Sequence, residues 1–170
     1  ICGANQTWLP EEIACYPVTS AKQMYEKTLE LWSKSDIGCL CAAVSDYRPK
    51  DFLSEKWKKQ TKDQSQDFLD IRLVSNPDIL NTLGEQKNNS QRLIGFAAES
   101  DIDLFSAMQT KLNKKNLDLI VSNQINQSDV GFGSNNNQVQ LLDKNLIYQK
   151  LPVLNKADIA WKIWDWILKI

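Results

Sequence analysis

The stretch DIGCLCAAVSDYRP, residues 36–49, runs apolar for most of its length and then turns abruptly polar. A continuous apolar run of this kind is the pattern of a β-strand covered on both faces. It ends by placing an acid, a phenol and a guanidinium together at Asp46, Tyr47 and Arg48. A strand that only filled a core could stop at any turn residue. This polar burst reads as the carboxyl end of a strand opening onto a site.

The flanking segments set that strand in an alternating pattern. ICGA (1–4) and IACYPV (13–18) read as short strands. TSAKQMYEKTLELWSK (19–34) has apolar residues at Met24, Leu29, Leu31 and Trp32, with Thr19 or Ser20 as N-cap, and predicts a helix. KWKKQTKDQSQD (56–67) is polar and without period, as in a loop or flap. FLDIRLV (68–74) alternates, and NPDILNTLGEQ (76–86) predicts a helix with Asn76 as cap and Pro77 at its first position. RLIGFAAE (92–99) predicts a buried strand, DIDLFSAMQTKLNKK (101–115) a helix and LDLIVSN (117–123) a strand. After the Gly/Asn/Ser loop of residues 124–137, QVQLLD (138–143) and LIYQKL (146–151) predict a hairpin, and KADIAWKIWDWILKI (156–170) a closing amphipathic helix.

Strands alternating with helices predict an α/β fold: a Rossmann-like, mostly parallel sheet flanked by helices, with a small antiparallel flap or hairpin. Ligands in such sheets sit beyond the carboxyl ends of the strands. Three segments follow strands in this way, AAVSDYR, GFAAE and SNQINQSDVGFGS. No GxGxxG or Walker A sequence occurs, and ICGANQTW reads like a second strand. Either the site uses other groups, or a first strand–turn–helix unit lies upstream.

Composition narrows the chemistry. The 170 residues are 42% hydrophobic and 24% charged with a net charge of −1, which suits one domain and argues against bulk nucleic-acid binding or a polybasic membrane surface. No run approaches the roughly 18 apolar residues of a membrane span, and the start lacks the basic residues of a secretory signal; a cytoplasmic protein is expected. The chain has no histidine, which removes imidazole acid–base chemistry, Ser–His and Cys–His nucleophile systems and His-based zinc sites. Cys2, Cys15, Cys39 and Cys41 lack a second pair at metal-site spacing and read as buried small hydrophobes in a reducing compartment.

Several polar residues carry two readings each. Asp46 and Arg48 either present an acceptor and a charged donor to a ligand or finish the strand as an ion pair. Lys56, Lys58 and Lys59 form either a solvated face or a cationic flap able to neutralise a polyphosphate. Lys111 and Lys115, four apart on a helix, share a face at a cost of a few tenths of a kcal/mol, roughly, unless an anion lies between them. Phe96 reads as core, with Gly95 permitting close approach beside it. Trp161, Trp164 and Trp166 span too wide an arc for one stripe and read as core packing plus a contact surface.

In order along the chain, YPVTSAKQMYE, AAVSDYRP, EKWKK, LVSNPDIL, GFAAES, KLNKKNLDLIVSN and GFGSNNNQVQLL resemble the phosphopantothenate–cysteine ligase (phosphopantothenoylcysteine synthetase) domain. That domain is the C-terminal half of the bacterial bifunctional coenzyme A biosynthesis flavoprotein. The likeness runs from about Thr19 to the final helix. It implies a single Rossmann-like ligase domain over residues 1–170, working as a homodimer. The reaction it implies joins 4′-phosphopantothenate to L-cysteine with CTP and magnesium through an acyl cytidylate. It also implies possible fusion to a decarboxylase domain that carries FMN.

By position, the resemblance implies that Leu40, Cys41 and Ala42 line the nucleotide with backbone groups and that Asp46 contacts it. Lys56 would face the triphosphate as the catalytic flap residue. Pro77, Asp78, Ile79 and Leu80 would present a helix N-terminus, Phe96 would pack against the nucleotide, and Lys111 and Lys115 would share one anion. The family's glycine-rich turn, its serine–glycine phosphate segment and an assisting asparagine would all lie upstream of Ile1, so the chain is expected to be N-terminally incomplete and inactive alone. Trp57 replaces an aliphatic residue of the flap, and Asn135 stands where an aspartate is common. Two other classes compete: a non-catalytic nucleotide- or dinucleotide-binding α/β domain, and an interaction module using the tryptophan-rich helix.

Overall fold

Period-two alternation in a few strands builds the centre of the molecule. The computed structural model describes residues 1–3, 11–51, 70–99, 103–124 and 135–170. Its elements, in chain order, are β1 (Cys2–Gly3), β2 (Pro17–Val18), α1 (Ala21–Trp32), β3 (Ile37–Leu40), β4 (Tyr47–Pro49), β5 (Leu73–Ser75), α2 (Ile79–Gln86), β6 (Arg92–Glu99), α3 (Leu104–Lys114), β7 (Leu119–Gln124), β8 (Asn136–Asn137), β9 (Val139–Asp143), β10 (Tyr148–Lys150), β11 (Leu154–Asn155) and α4 (Lys156–Ile167). The main sheet has the order β10-β9-β7-β6-β3. Strands β3, β6 and β7 are parallel, and β9 and β10 add an antiparallel hairpin. β1 and β2 form a separate parallel pair, while β4–β5 and β8–β11 are small antiparallel pairs.

Successive residues of a strand face opposite sides. Leu93, Ile120 and Leu142 therefore pack with Trp32, Leu83, Met108 and Leu112 under α1, α2 and α3. Ile94, Leu119, Val121 and Leu141 pack with Ile159, Ile163 and Ile167 of α4 on the other face. Burying each such side chain contributes about 1.5–3 kcal/mol, so the two apolar layers hold the sheet between helices. Gly95 lets this happen closely: a Cβ there would lie 2.7 Å from Leu80 Cδ2 and 2.9 Å from Leu117 Cδ1. The expected α/β class is the one observed.

Three local expectations are corrected. The run after Asp36 is a strand only over Ile37–Leu40, at one end of the main sheet, and residues 41–45 leave it exposed. Cys39 and Cys41 are accordingly exposed, and Cys2 and Cys15 partly so. The cap of α2 is Asp78, whose carboxylate accepts from Asn81 N–H at 3.0 Å; Asn76 and Pro77 lie before the helix. Asn76 cannot cap because its amide is already committed to Ser45 and Arg48. Among the described residues, no helix is long and apolar enough to cross a membrane.

Candidate functional site

A cleft of about 770 Å³ opens where β3 ends, bounded by α1, α2 and the tip of β6. Leu40, Cys41 and Ala42 line it from the end of β3, and Ser45 and Asp46 from the segment that follows. Asn76 and Pro77 reach it ahead of α2, and Asp78, Ile79 and Leu80 from the start of that helix. Phe96 comes from β6 and Lys115 from the end of α3. Parallel strands all deliver their carboxyl ends to one side, which is why residues so distant in sequence converge here.

Lys115 is the C-cap of α3, beyond the last helical turn, and its Nζ lies 3.1 Å from Asp78 Oδ2. Both side chains are partly exposed, so the pair contributes at most about 1 kcal/mol and can be exchanged for another partner. Lys111 is exposed on α3 and does not line the cleft. Lys56 falls outside the described residues, between β4 and β5. Of the two lysines read as sharing an anion, the structure therefore brings one to the cleft.

Among the described residues, Arg48 donates to backbone and amide oxygens rather than to a carboxylate. Its Nη1 donates to the Ser75 carbonyl at 2.7 Å and to Asn76 Oδ1 at 3.0 Å. Asn76 in turn donates from Nδ2 to the Ser45 carbonyl at 2.8 Å and from its backbone N–H to the Asp46 carbonyl at 2.7 Å. The set ties the β4–β5 pair to both rims of the cleft and fixes the backbone at Asp46. Sequence reasoning missed Asn76 and Ser45, whose partners lie 31 residues apart in the chain. Arg48→Met is expected to speed exchange of the Asn76 amide on the order of tenfold, as loss of a hydrogen bond near 1 kcal/mol implies. Unchanged protection in hydrogen-exchange mass spectrometry would show that Arg48 does not hold this rim.

Cys39 sits among dense protein despite its surface exposure. Burial first, and the neighbouring Cys41 second, push its thiol up to about 11. A thiolate nucleophile at neutral pH is thereby disfavoured. Among the described residues, no three His, Cys, Asp or Glu side chains group as metal ligands. The Asp78 carboxylate is also engaged by Lys115 and Asn81. These described residues do not build a cage for a resident metal ion.

Residues 1–170 match the family described as DFP, the DNA/pantothenate metabolism flavoprotein C-terminal domain. The chain is 36% identical over 154 residues to the coenzyme A biosynthesis bifunctional protein CoaBC of Borreliella burgdorferi, covering 91% of this chain and 37% of that protein. It is 39% identical over 147 residues to the protein of the same name from Bacillus subtilis (strain 168), covering 86% and 34%. It thus spans about a third of the length of these relatives. The crystal structure of the C-terminal domain of a coenzyme A biosynthesis bifunctional protein CoaBC superposes with a TM-score of 0.72 at 32% identity, over 93% of this chain and 66% of that one.

Proposed function

Because the chain belongs to the family of DNA/pantothenate metabolism flavoprotein C-terminal domains, we propose that it is the phosphopantothenate–cysteine ligase portion of a coenzyme A biosynthesis protein. The observation that supports this most is the meeting of Leu40, Cys41, Ala42, Asp46, Asp78, Phe96 and Lys115 around one cleft. In this reading the nucleotide is CTP, accompanied by magnesium. The backbone of Leu40, Cys41 and Ala42 and the Asp46 carboxylate face its nucleoside, Phe96 packs against it, and the Pro77–Leu80 corner borders it.

The 4′-phosphopantothenate carboxylate attacks the α-phosphorus and pyrophosphate leaves, giving an acyl cytidylate. The amine of L-cysteine then attacks the activated carbonyl, forming the amide and releasing CMP and a proton. Both steps depend on positioning and charge neutralisation and need no imidazole. The described charged side chains lining the cleft are Asp46, Asp78 and Lys115. A polyphosphate must therefore draw Lys115 away from Asp78, and a further cation would come from Lys56, which lies outside the described residues. The acting species is a cytoplasmic homodimer, joined to a decarboxylase domain that carries FMN.

The test uses the full-length protein with CTP, 4′-phosphopantothenate and cysteine. CMP and pyrophosphate should form in equal amounts, and ATP in place of CTP should support less. Nucleotide binding without release of CMP or AMP would instead favour the non-catalytic nucleotide-binding reading. Lys115→Ala is expected to slow pyrophosphate release on the order of 100-fold, the scale for removing one preorganised cationic donor. Its fold should persist, since the pair with Asp78 is a partly exposed one. A wild-type rate in that variant would remove Lys115 from the mechanism.

A further inference from the structure

We propose that the outer face of α4 docks a second copy of this chain, the two helices packing antiparallel about a two-fold axis. α4 packs on the face of the sheet opposite α1, α2 and α3, and none of its residues lines the cleft. The proposal therefore does not rest on the ligase reading.

Helical spacing sorts α4 and the turn that ends it into rows. Ile159, Ile163 and Ile167 are buried against the sheet. Trp161, Trp164 and Leu168 stand on the other side of the helix and are 70%, 43% and 73% exposed. Their spacing by three and then four residues is that of a seam between two helices. Single exposed apolar side chains are ordinary, but two tryptophans and a leucine in one row make a contiguous patch. Tryptophan is also among the side chains that carry most of the energy of protein interfaces.

Charge identifies the occupant. Asp158, Lys162, Asp165 and Lys169 run beside the apolar row, all exposed and alternating in sign. Their spacing suits ion pairs within the helix, yet none of the ion pairs among the described residues uses them. Lys162 and Asp165 are equidistant from the point between Ile163 and Trp164, and so are Asp158 and Lys169, with the sign reversed each time. Antiparallel helices bring the same flank of each together. A two-fold axis through that point therefore sets Lys162 against the partner's Asp165 and Asp158 against the partner's Lys169, each pair formed twice. A row of one sign would select a partner of the other sign. This row has no net charge and matches its own reverse, which is what a self-complementary interface requires.

Two measurements on the full-length protein test this. In an equal mixture of ordinary and isotope-labelled protein, carbodiimide coupling should join Lys162 of one copy to Asp165 of the other, seen as an amide between a light and a heavy peptide. Lys162→Asp and Asp165→Lys then reverse the charges at mid-helix, leaving Asp158 to its capping bond with Asn155. Each variant alone sets like charges opposite one another, and only a mixture of the two regains opposite pairs. Native mass spectrometry of that mixture should find the mixed dimer at about ten times either homodimer, against about twice for random pairing. Random proportions overturn the proposal and leave the homodimer of the ligase reading standing, since a dimer made through another surface ignores these charges. Failure of the light-to-heavy amide to form overturns it as well.

Discussion

Replacing Asp118 by Asn is expected to cost about 3–5 kcal/mol, the scale for stranding a buried charge, although Asp118 touches no part of the cleft. Its side chain is 3% exposed and accepts from Lys87 Nζ at 2.8 Å, from Lys144 Nζ at 3.0 Å and from Leu93 N–H at 2.8 Å. Lys87 is itself 10% exposed and also donates to the Asn116 carbonyl at 2.7 Å. One carboxylate thus joins the end of α2, strand β6 and the turn after β9. Asparagine keeps the shape and one acceptor oxygen but leaves two lysines without a counter-charge. With a urea dependence of about 2 kcal/mol per molar, the unfolding midpoint should fall on the order of 2 M. A midpoint within a few tenths of a molar of wild type would mean that the lysines find water instead.

The same residue sets a pH dependence. Burial by itself raises the Asp118 carboxyl, but the hydrogen bonds from Lys87, Lys144 and Leu93, with the Lys87 charge, outweigh it and hold the group below its ordinary value. A group whose folded pKa is depressed stabilises fully above its unfolded value, about 3.9 for aspartate, and loses that contribution as pH falls through the lower folded value. Wild-type stability should therefore drop below about pH 4 more steeply than that of the asparagine variant. Parallel acid-unfolding curves would assign the acid sensitivity to other carboxylates.

Which features were legible depends on how far apart the partners are in the chain. Caps within a turn are readable: of Thr19 and Ser20, Ser20 accepts from Gln23 N–H as the cap of α1, and the neighbouring segments QVQLLD and LIYQKL do form the β9–β10 hairpin. The misread cap of α2 shows the limit. Asn76 and Pro77 have the right local chemistry, but Arg48, from a strand 28 residues away, holds the Asn76 side chain and leaves the cap to Asp78. The Lys87–Asp118 and Lys144–Asp118 bridges span 31 and 26 residues and have no local signature at all. Leu40, Asp46, Asp78 and Lys115 could be placed at strand and helix ends by pattern, yet their sharing of one cleft follows only from the parallel order of β3 and β6. The buried-strand reading of residues 36–44 holds only in part: Ile37 and Leu40 pack against the two apolar layers, whereas Cys39 and residues 41–44 are exposed.

Gly84→Ala should be the most disruptive alanine substitution among the described glycines, costing about 3 kcal/mol despite alanine's better helix propensity. A Cβ at Gly84 would lie 2.0 Å from the Lys115 carbonyl oxygen and 2.9 Å from its carbonyl carbon. Both are backbone atoms, so no rotamer change relieves the overlap. The contact is further fastened by Asn116, which adopts a left-handed φ of 50° and donates from Nδ2 to the Gly84 carbonyl at 2.8 Å. Relief requires α2 to move away from the end of α3. Because α2 carries Asp78 and the end of α3 carries Lys115, the same movement opens the cleft. Nucleotide affinity of the full-length protein should then weaken roughly tenfold, about 1.4 kcal/mol, alongside the loss of stability. Lys115→Ala serves as the contrast, since it should weaken nucleotide handling and leave unfolding nearly unchanged. Wild-type stability in Gly84→Ala would show that the helices separate freely and that their backbone contact does not set the width of the cleft.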